Sequence, residues 1–256
     1  MSRIMRKKQL RRRRFLRGFR KFCVFCVILI VVVAAIRYVS KTDALTTAKL
    51  EREGYPQSLI ELMERNPETK DFVLNYKKNK GKSKKINFSK EVKEGEIPLF
   101  LQWDERWGYE TYGDDFLALT GCGPTCLSMV YCGLGGGTKW NPYEVASMAE
   151  KNGFYVEGTG SSWELMSAGA ERLGLTVEEV RFDADHIKAE LEDGHPIICA
   201  MGPGDFTTSG HFIVLAGIDK NGKIIVRDPN SKINSDTAWD IDKLMSQTRN
   251  LWGYRL

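Results

Sequence analysis

Residues 211–228, HFIVLAGIDKNGKIIVRD, read as two strands joined by a tight turn. His211–Ile218 and Lys223–Asp228 are rich in Ile and Val, and Asp219-Lys220-Asn221-Gly222 between them is a hairpin signal. With those four residues as the loop, Ile218 pairs with Lys223 and Asp228 falls opposite Ile213. Side chains alternate along a strand, so Ile213 shares a face with His211, and His211 and Asp228 become diagonal neighbours. A two-residue Asn-Gly loop sets Asp228 opposite Leu215 instead, on the same face but out of reach. The chemistry of a histidine base favours the first register, because a carboxylate on one ring nitrogen leaves the other free to take a proton.

Upstream of the hairpin, Thr176–Phe182 and Pro196–Met201 have the same β-branched, apolar character. Before them the pattern is helical. A helix is expected from about Gly123 to Cys132, with Pro124 in its first turn and Gly133 as its stop. Others are expected at Pro142–Lys151 behind Asn141, at Trp163–Leu173 behind Ser161 or Ser162, and at Ala184–Glu192 behind Asp183. Ile97–Trp103, IPLFLQW, reads as an opening strand. Helices first and an antiparallel sheet after them predict an α+β fold, not a doubly wound one.

The helix expected after Gly121 begins Cys122-Gly123-Pro124-Thr125-Cys126, which places a thiol at a helix mouth. Unpaired N–H groups and the positive end of the helix dipole favour thiolate there, so Cys122 is a candidate nucleophile. Gly121 and Gly123 are expected to leave the sulfur uncrowded for a substrate backbone. A cysteine hydrolase needs a base, and the chain has three histidines. His186 lies inside a predicted surface helix and His195 in the Gly194-His195-Pro196 turn, whereas His211 stands where a loop meets a sheet, the usual place for a functional side chain. Asp228 is the candidate orienting group, and Gln102, just after the apolar run, is a candidate donor to a developing oxyanion. Cys122, Cys126 and Cys132 lack metal-ligand spacing, GLGGGTKW at 133–140 lacks the Gly-Lys-Ser/Thr of a phosphate loop, and neither metal nor cofactor is expected.

Charge divides the chain. The net charge is +5, yet residues 1–21 hold eleven Lys/Arg and no acid, and beyond Arg37 the remaining 26 basic and 33 acidic residues leave −7. A basic arm for nucleic acid explains the arginines but not the apolar run that follows, Phe22–Ile36. That run, extended to Val39, reads as a membrane anchor, with a cleaved signal peptide as the alternative. The positive-inside rule keeps the tail cytoplasmic and puts the rest outside. The expected organisation is a basic tail over 1–21, an anchor over 22–39, a helical stalk and Lys-rich linker over 40–95, and a catalytic domain over 96–256.

Gln102, GCGPTCLSMV at 121–130, SGHFIVLAGID at 209–219 and RDPN at 227–230 together resemble the bacteriocin-leader-processing cysteine peptidases and their stand-alone relatives. The resemblance covers about residues 96–256. It implies a papain-like fold, with the nucleophile, base, orienting carboxylate and oxyanion glutamine of that family matching Cys122, His211, Asp228 and Gln102. Family members that process leaders are fused to an export transporter and cut after paired glycines in the cytoplasm. Here no fused transporter is expected and the charge pattern places the domain outside, so a peptide or protein substrate other than a double-glycine leader is expected. The alternatives are an amidase or transpeptidase acting on cell-wall peptides, and an inactive papain-like binding module.

Overall fold

The computed structural model describes residues 45–82, 86–135 and 137–256, together with Phe25, Ile28, Leu29 and Val32. The expected basic tail and most of the expected anchor over 22–39 lie outside the described residues. Among those described, no helix is long and apolar enough to cross a membrane. Two compact units divide the chain, Met1–Ile60 and Glu61–Leu256. In the first, residues 45–52 are helical (α1), and α2 (Gln57–Arg65) runs across the boundary.

The second unit starts well before Ile97. Asn66 caps a 3-10 turn (Pro67–Thr69) by accepting from the Glu68 N–H, and α3 (Lys70–Leu74) and α4 (Tyr76–Asn79) follow. Phe72 stacks on Tyr109 with ring centroids 4.2 Å apart, and Phe88 packs edge-on against Phe100 and Trp107. Part of the interval expected to be stalk and linker is therefore packed into the same unit, anchored by a few aromatic side chains that each bury a large apolar area. Residues 97–103 are largely buried but form no strand, and Gln102 and Trp103 lie in a turn. Their backbone N–H groups find partners outside a ladder: that of Phe100 donates to Met129 Sδ (3.2 Å) and that of Gln102 to the Pro229 carbonyl (2.7 Å).

A short ribbon, β1 (Thr111–Tyr112) with β2 (Asp115–Phe116), leads into α5 (Leu117–Thr120) and the long α6 (Cys122–Gly135). Next come α7 (Pro142–Lys151), capped as expected by Asn141 on the N–H groups of Tyr143 and Glu144, and a second ribbon, β3 (Tyr155–Val156) with β4 (Gly160–Ser161). The single helix expected over Trp163–Leu173 is broken. A 3-10 turn (Trp163–Met166) is separated from α8 (Ala168–Arg172) by Ser167, whose φ −109° and ψ −88° are not helical, and Ser162 makes no side-chain cap.

The rest is built around an antiparallel sheet of β5 (Thr176–Glu179), β6 (Ile197–Met201), β7 (His211–Ile218), β8 (Ile224–Arg227), β9 (Ala238–Trp239) and β10 (Thr248–Arg255), in the order β5-β10-β6-β7-β8-β9. Three further helices connect these strands: α9 (Ala184–Glu192), α10 (Lys232–Asp236) and α11 (Ile241–Met245). Both faces are covered. Ile198, Ala200, Phe212 and Val214 pack with the α6 side, while Ile197, Cys199, Ile213 and Leu215 pack with Ile187 and Leu191 of α9 and Leu244 of α11. The α+β class expected from the sequence is the class observed, but β10 between β5 and β6 was not anticipated.

The hairpin departs from the expected pairing of Ile218 with Lys223, yet His211 and Asp228 come together as expected. Ile218 pairs with Ile224 and Gly217 with Ile225, but Leu215 pairs with Val226 and Val214 with Arg227, which leaves Ala216 as an extra residue in β7. Such a bulge shifts the register by one. Continued past Arg227, the shifted register sets Asp228 opposite Ile213, where the unshifted one would set it opposite Val214 on the other face.

Candidate active site

Cys122 is the first residue of α6, directly after Gly121 ends α5. His211 opens β7, and Asp228 follows the last residue of β8. His211 Nε2 bonds Asp228 Oδ1 at 2.7 Å, with only 8% of the histidine side chain and 1% of the aspartate exposed. This leaves Nδ1 for the Cys122 thiol, which is close enough for thiol and ring to shift each other's pKa. Three of the four residues predicted from sequence thus form one chain of contacts, from thiol to imidazole to carboxylate.

Electrostatics favour charge separation across it. Burial pushes the Cys122 thiol up, but the hydrogen bond and positive charge of His211, with N–H groups of Phe212 and Gly123 aimed at the sulfur, outweigh burial and lower its pKa. For His211, burial works against the cation, yet the Asp228 charge and hydrogen bond, then Cys122, raise its pKa to about 10. The Gly123 donor is one of the unpaired N–H groups that a helix start supplies.

Asp228 is itself held from several sides. Besides His211, its carboxylate accepts from the Asn230 N–H (2.8 Å) and Asn234 Nδ2 (2.7 Å), and its own N–H donates to Ser235 Oγ (2.9 Å). Asn234 lies on α10 and was not singled out in the sequence. The loop after Asp228 is pinned in turn by residues far upstream. Asn66 Nδ2 donates to the Asn230 carbonyl (2.7 Å), and Glu68 accepts from Ser231 Oγ (2.6 Å) and the Lys232 N–H (2.9 Å).

Gln102 links the two sides of the site. Its backbone N–H bonds the carbonyl of Pro229, next to Asp228, and its Nε2 donates to the carbonyl of Ala118 at 2.7 Å, on the helix just before Cys122. Being a donor to Ala118 fixes which end of the amide is nitrogen, and a second N–H hydrogen remains on that nitrogen. The buried Oε1 has no partner among the described residues.

One expectation changes. The flanking glycines are demanded by the protein's own packing: a Cβ at Gly123 would fall 2.6 Å from Ser161 Oγ, and one at Gly121 would fall 2.5 Å from the Leu117 carbonyl. The other histidines sit elsewhere, His195 against Glu190 (3.1 Å) and His186 at the start of α9. As expected, Cys126 is a buried thiol distinct from Cys122. It donates to the Phe212 carbonyl (3.3 Å), and burial raises its pKa far above the ordinary range. Cys122, Cys126, Cys132 and Cys199 are all unbridged.

Cys122 and His211 open onto a cleft of about 450 Å³ whose walls include Trp163, Met201, Gly202 and Arg249. A reactive thiol–imidazole pair beside an open cleft can carry out acyl transfer.

The chain is similar to a solved structure named as a C39-like peptidase from Bacillus anthracis, at 15% identity and a TM-score of 0.42, over 64% of this chain and 97% of that one. No protein of curated function matches. Residues 94–255, which contain Gln102, Cys122, His211 and Asp228, match the model of the Peptidase_C39 like family, and the chain belongs to that family.

Proposed function

We propose that this protein is a thiol peptidase in which Cys122 attacks the substrate carbonyl, His211 moves the proton and Asp228 orients His211. The observation that carries the reading is the imidazole of His211, bonded at 2.7 Å to the buried Asp228 and close enough to Cys122 to lower the pKa of its thiol. In the resting ion pair the thiolate is the nucleophile. As it adds to the carbonyl, the new oxyanion is met by the Cys122 backbone N–H and by the second N–H of Gln102 Nε2. His211 then gives its Nδ1 proton to the leaving amine and the tetrahedral adduct collapses to a thioester. In the second half-reaction His211 takes a proton from water, the hydroxide equivalent attacks the thioester, and the carboxylic acid leaves as Cys122 is restored.

In the same reading the domain is held at the outer face of a membrane. Support comes from the eleven positive charges in residues 1–21 followed by the uncharged run 22–36, a pattern that retains the basic end inside. Full-length protein incubated with a peptide library and, separately, with cell-wall fragments tests the reaction, with Cys122→Ala as control. Hydrolysis of peptides only by the wild type is expected. Release from wall fragments alone would move the substrate class, and equal activity in Cys122→Ala would overturn the mechanism. Protease added to intact cells should trim the domain, and digestion only after lysis would refute the orientation.

A further inference from the structure

Strand β10 carries a second register shift, and it lies at the cleft. Thr248 pairs with Met201 and Asn250 with Ala200, so Arg249 is an extra residue opposite β6. Met201 pairs in turn with His211 across β7. The row Thr248–Met201–His211 therefore crosses the sheet, with the bulged residue at one end and the histidine at the other. A bulge re-aims a side chain out of the alternation. Here the guanidinium lies over Gly202, where a Cβ would fall 2.4 Å from Arg249 Nε, and Arg249 and Gly202 both line the cleft that holds Cys122 and His211. No acidic residue is among those lining the cleft. The nearby Asp205 is engaged by Lys243 and Gln247, and Arg249 makes no salt bridge among the described residues.

We propose that Arg249 is a specificity-determining residue that binds a carboxylate of the substrate, close to the bond presented to Cys122. A guanidinium offers a planar fork of donors matched to a carboxylate, and the glycine beneath it and the absence of an acidic neighbour in the cleft leave that fork to an incoming anion. The carboxylate is that of an Asp or Glu side chain or of the substrate's free C-terminus. The proposal rests on the thiol-peptidase reading, so its test includes a readout that needs no peptide turnover.

Full-length protein in detergent is given matched peptides bearing Asp or Glu at each position around the cleaved bond, their Asn or Gln isosteres, and C-terminally amidated counterparts. Wild type is expected to favour the acid at one position, or the free terminus, by at least about tenfold in kcat/KM, about 1.4 kcal/mol. The position or terminus that responds identifies the source of the carboxylate. The preference should fall to near unity in Arg249→Gln and be partly restored in Arg249→Lys. Independently, the ratio of iodoacetate to iodoacetamide alkylation rates at Cys122 should drop several-fold in Arg249→Gln, because only the first reagent carries a carboxylate. A wild type indifferent to the carboxylate, or an Arg249→Gln variant that keeps the preference, would overturn the proposal. Where no peptide is cleaved by any variant the reaction reading fails, and an unchanged alkylation ratio would then overturn the role of Arg249 as well.

Discussion

His211 Nε2 and Asp228 Oδ1 meet at 2.7 Å across two strands whose pairing at the hairpin end would hold these residues on opposite faces. The extra residue Ala216 corrects the register between Gly217 and Leu215. Asp228→Asn keeps this geometry but loses the charge that raises the His211 pKa to about 10. Turnover should fall by about 10²- to 10⁴-fold, since orientation and stabilisation of the imidazolium are both weakened. The sign of the pH effect follows. Activity of the ion pair rises as Cys122 loses its proton and falls as His211 loses its own, so the alkaline limb, near pH 10 in the wild type, should move to lower pH in Asp228→Asn. A pH profile of kcat/KM checks both, and an unmoved alkaline limb would assign the imidazolium's stability to another group.

The two thiols one turn apart on α6 should behave oppositely. Cys122 has N–H donors and an imidazole at its sulfur, whereas burial pushes the Cys126 thiol far up. Iodoacetamide near neutral pH should label Cys122 first and stop hydrolysis, as read by peptide mass spectrometry. Cys122→Ala should fold and be inactive. Cys126→Ala should lose about 1 kcal/mol of stability and retain turnover.

Gln102→Glu is nearly isosteric, yet it replaces the donor to the Ala118 carbonyl by an acceptor and removes the N–H left for the oxyanion. Loss of one such donor costs about 10²- to 10³-fold in kcat. Steady-state kinetics should show a fall mainly in kcat, not a rise in KM. A kcat within threefold of wild type would remove Gln102 from the oxyanion site.

The aromatic and polar contacts upstream of residue 94 predict a difference between fragments. One starting at Glu61 keeps the Phe72–Tyr109 stack and the Glu68 bonds to Ser231 and Lys232, and one starting at Glu94 loses them. Burial of Phe72 and Tyr76 alone makes the shorter fragment less stable by at least about 2 kcal/mol. Urea denaturation of both measures it, and equal midpoints would show that the upstream segment is only laid on the surface.

What the sequence disclosed and what it concealed divide by range. Helix starts rest on neighbours a few residues away, so Asn141 and Asp183 could be recognised as caps. The thiol at the mouth of α6 was legible for the same reason. The bulge at Ala216 has no comparable local signature, because the shift is set by how β7 meets both β6 and β8. The stretch at 97–103 has the apolar character of a strand, but partners on α6 and beside Asp228 take the backbone groups a strand would use. Arg249 escaped notice because a lone arginine between Thr248 and Asn250 means nothing until β6 lies beside it.

The position of β10 also orders events during synthesis. It lies downstream of Gln102, Cys122, His211 and Asp228, yet it sits between β5 and β6 with a ladder on each side. Until it has emerged, β6, buried along its whole length in the finished sheet, presents an unpaired apolar edge, and β5 has no neighbour to join. Such an edge is prone to pair with other chains. A nascent chain therefore cannot finish this sheet until Arg255, 27 residues after Asp228, has been made, so the thiol at the mouth of α6 acquires its completed cleft after synthesis of that region and not in the course of it.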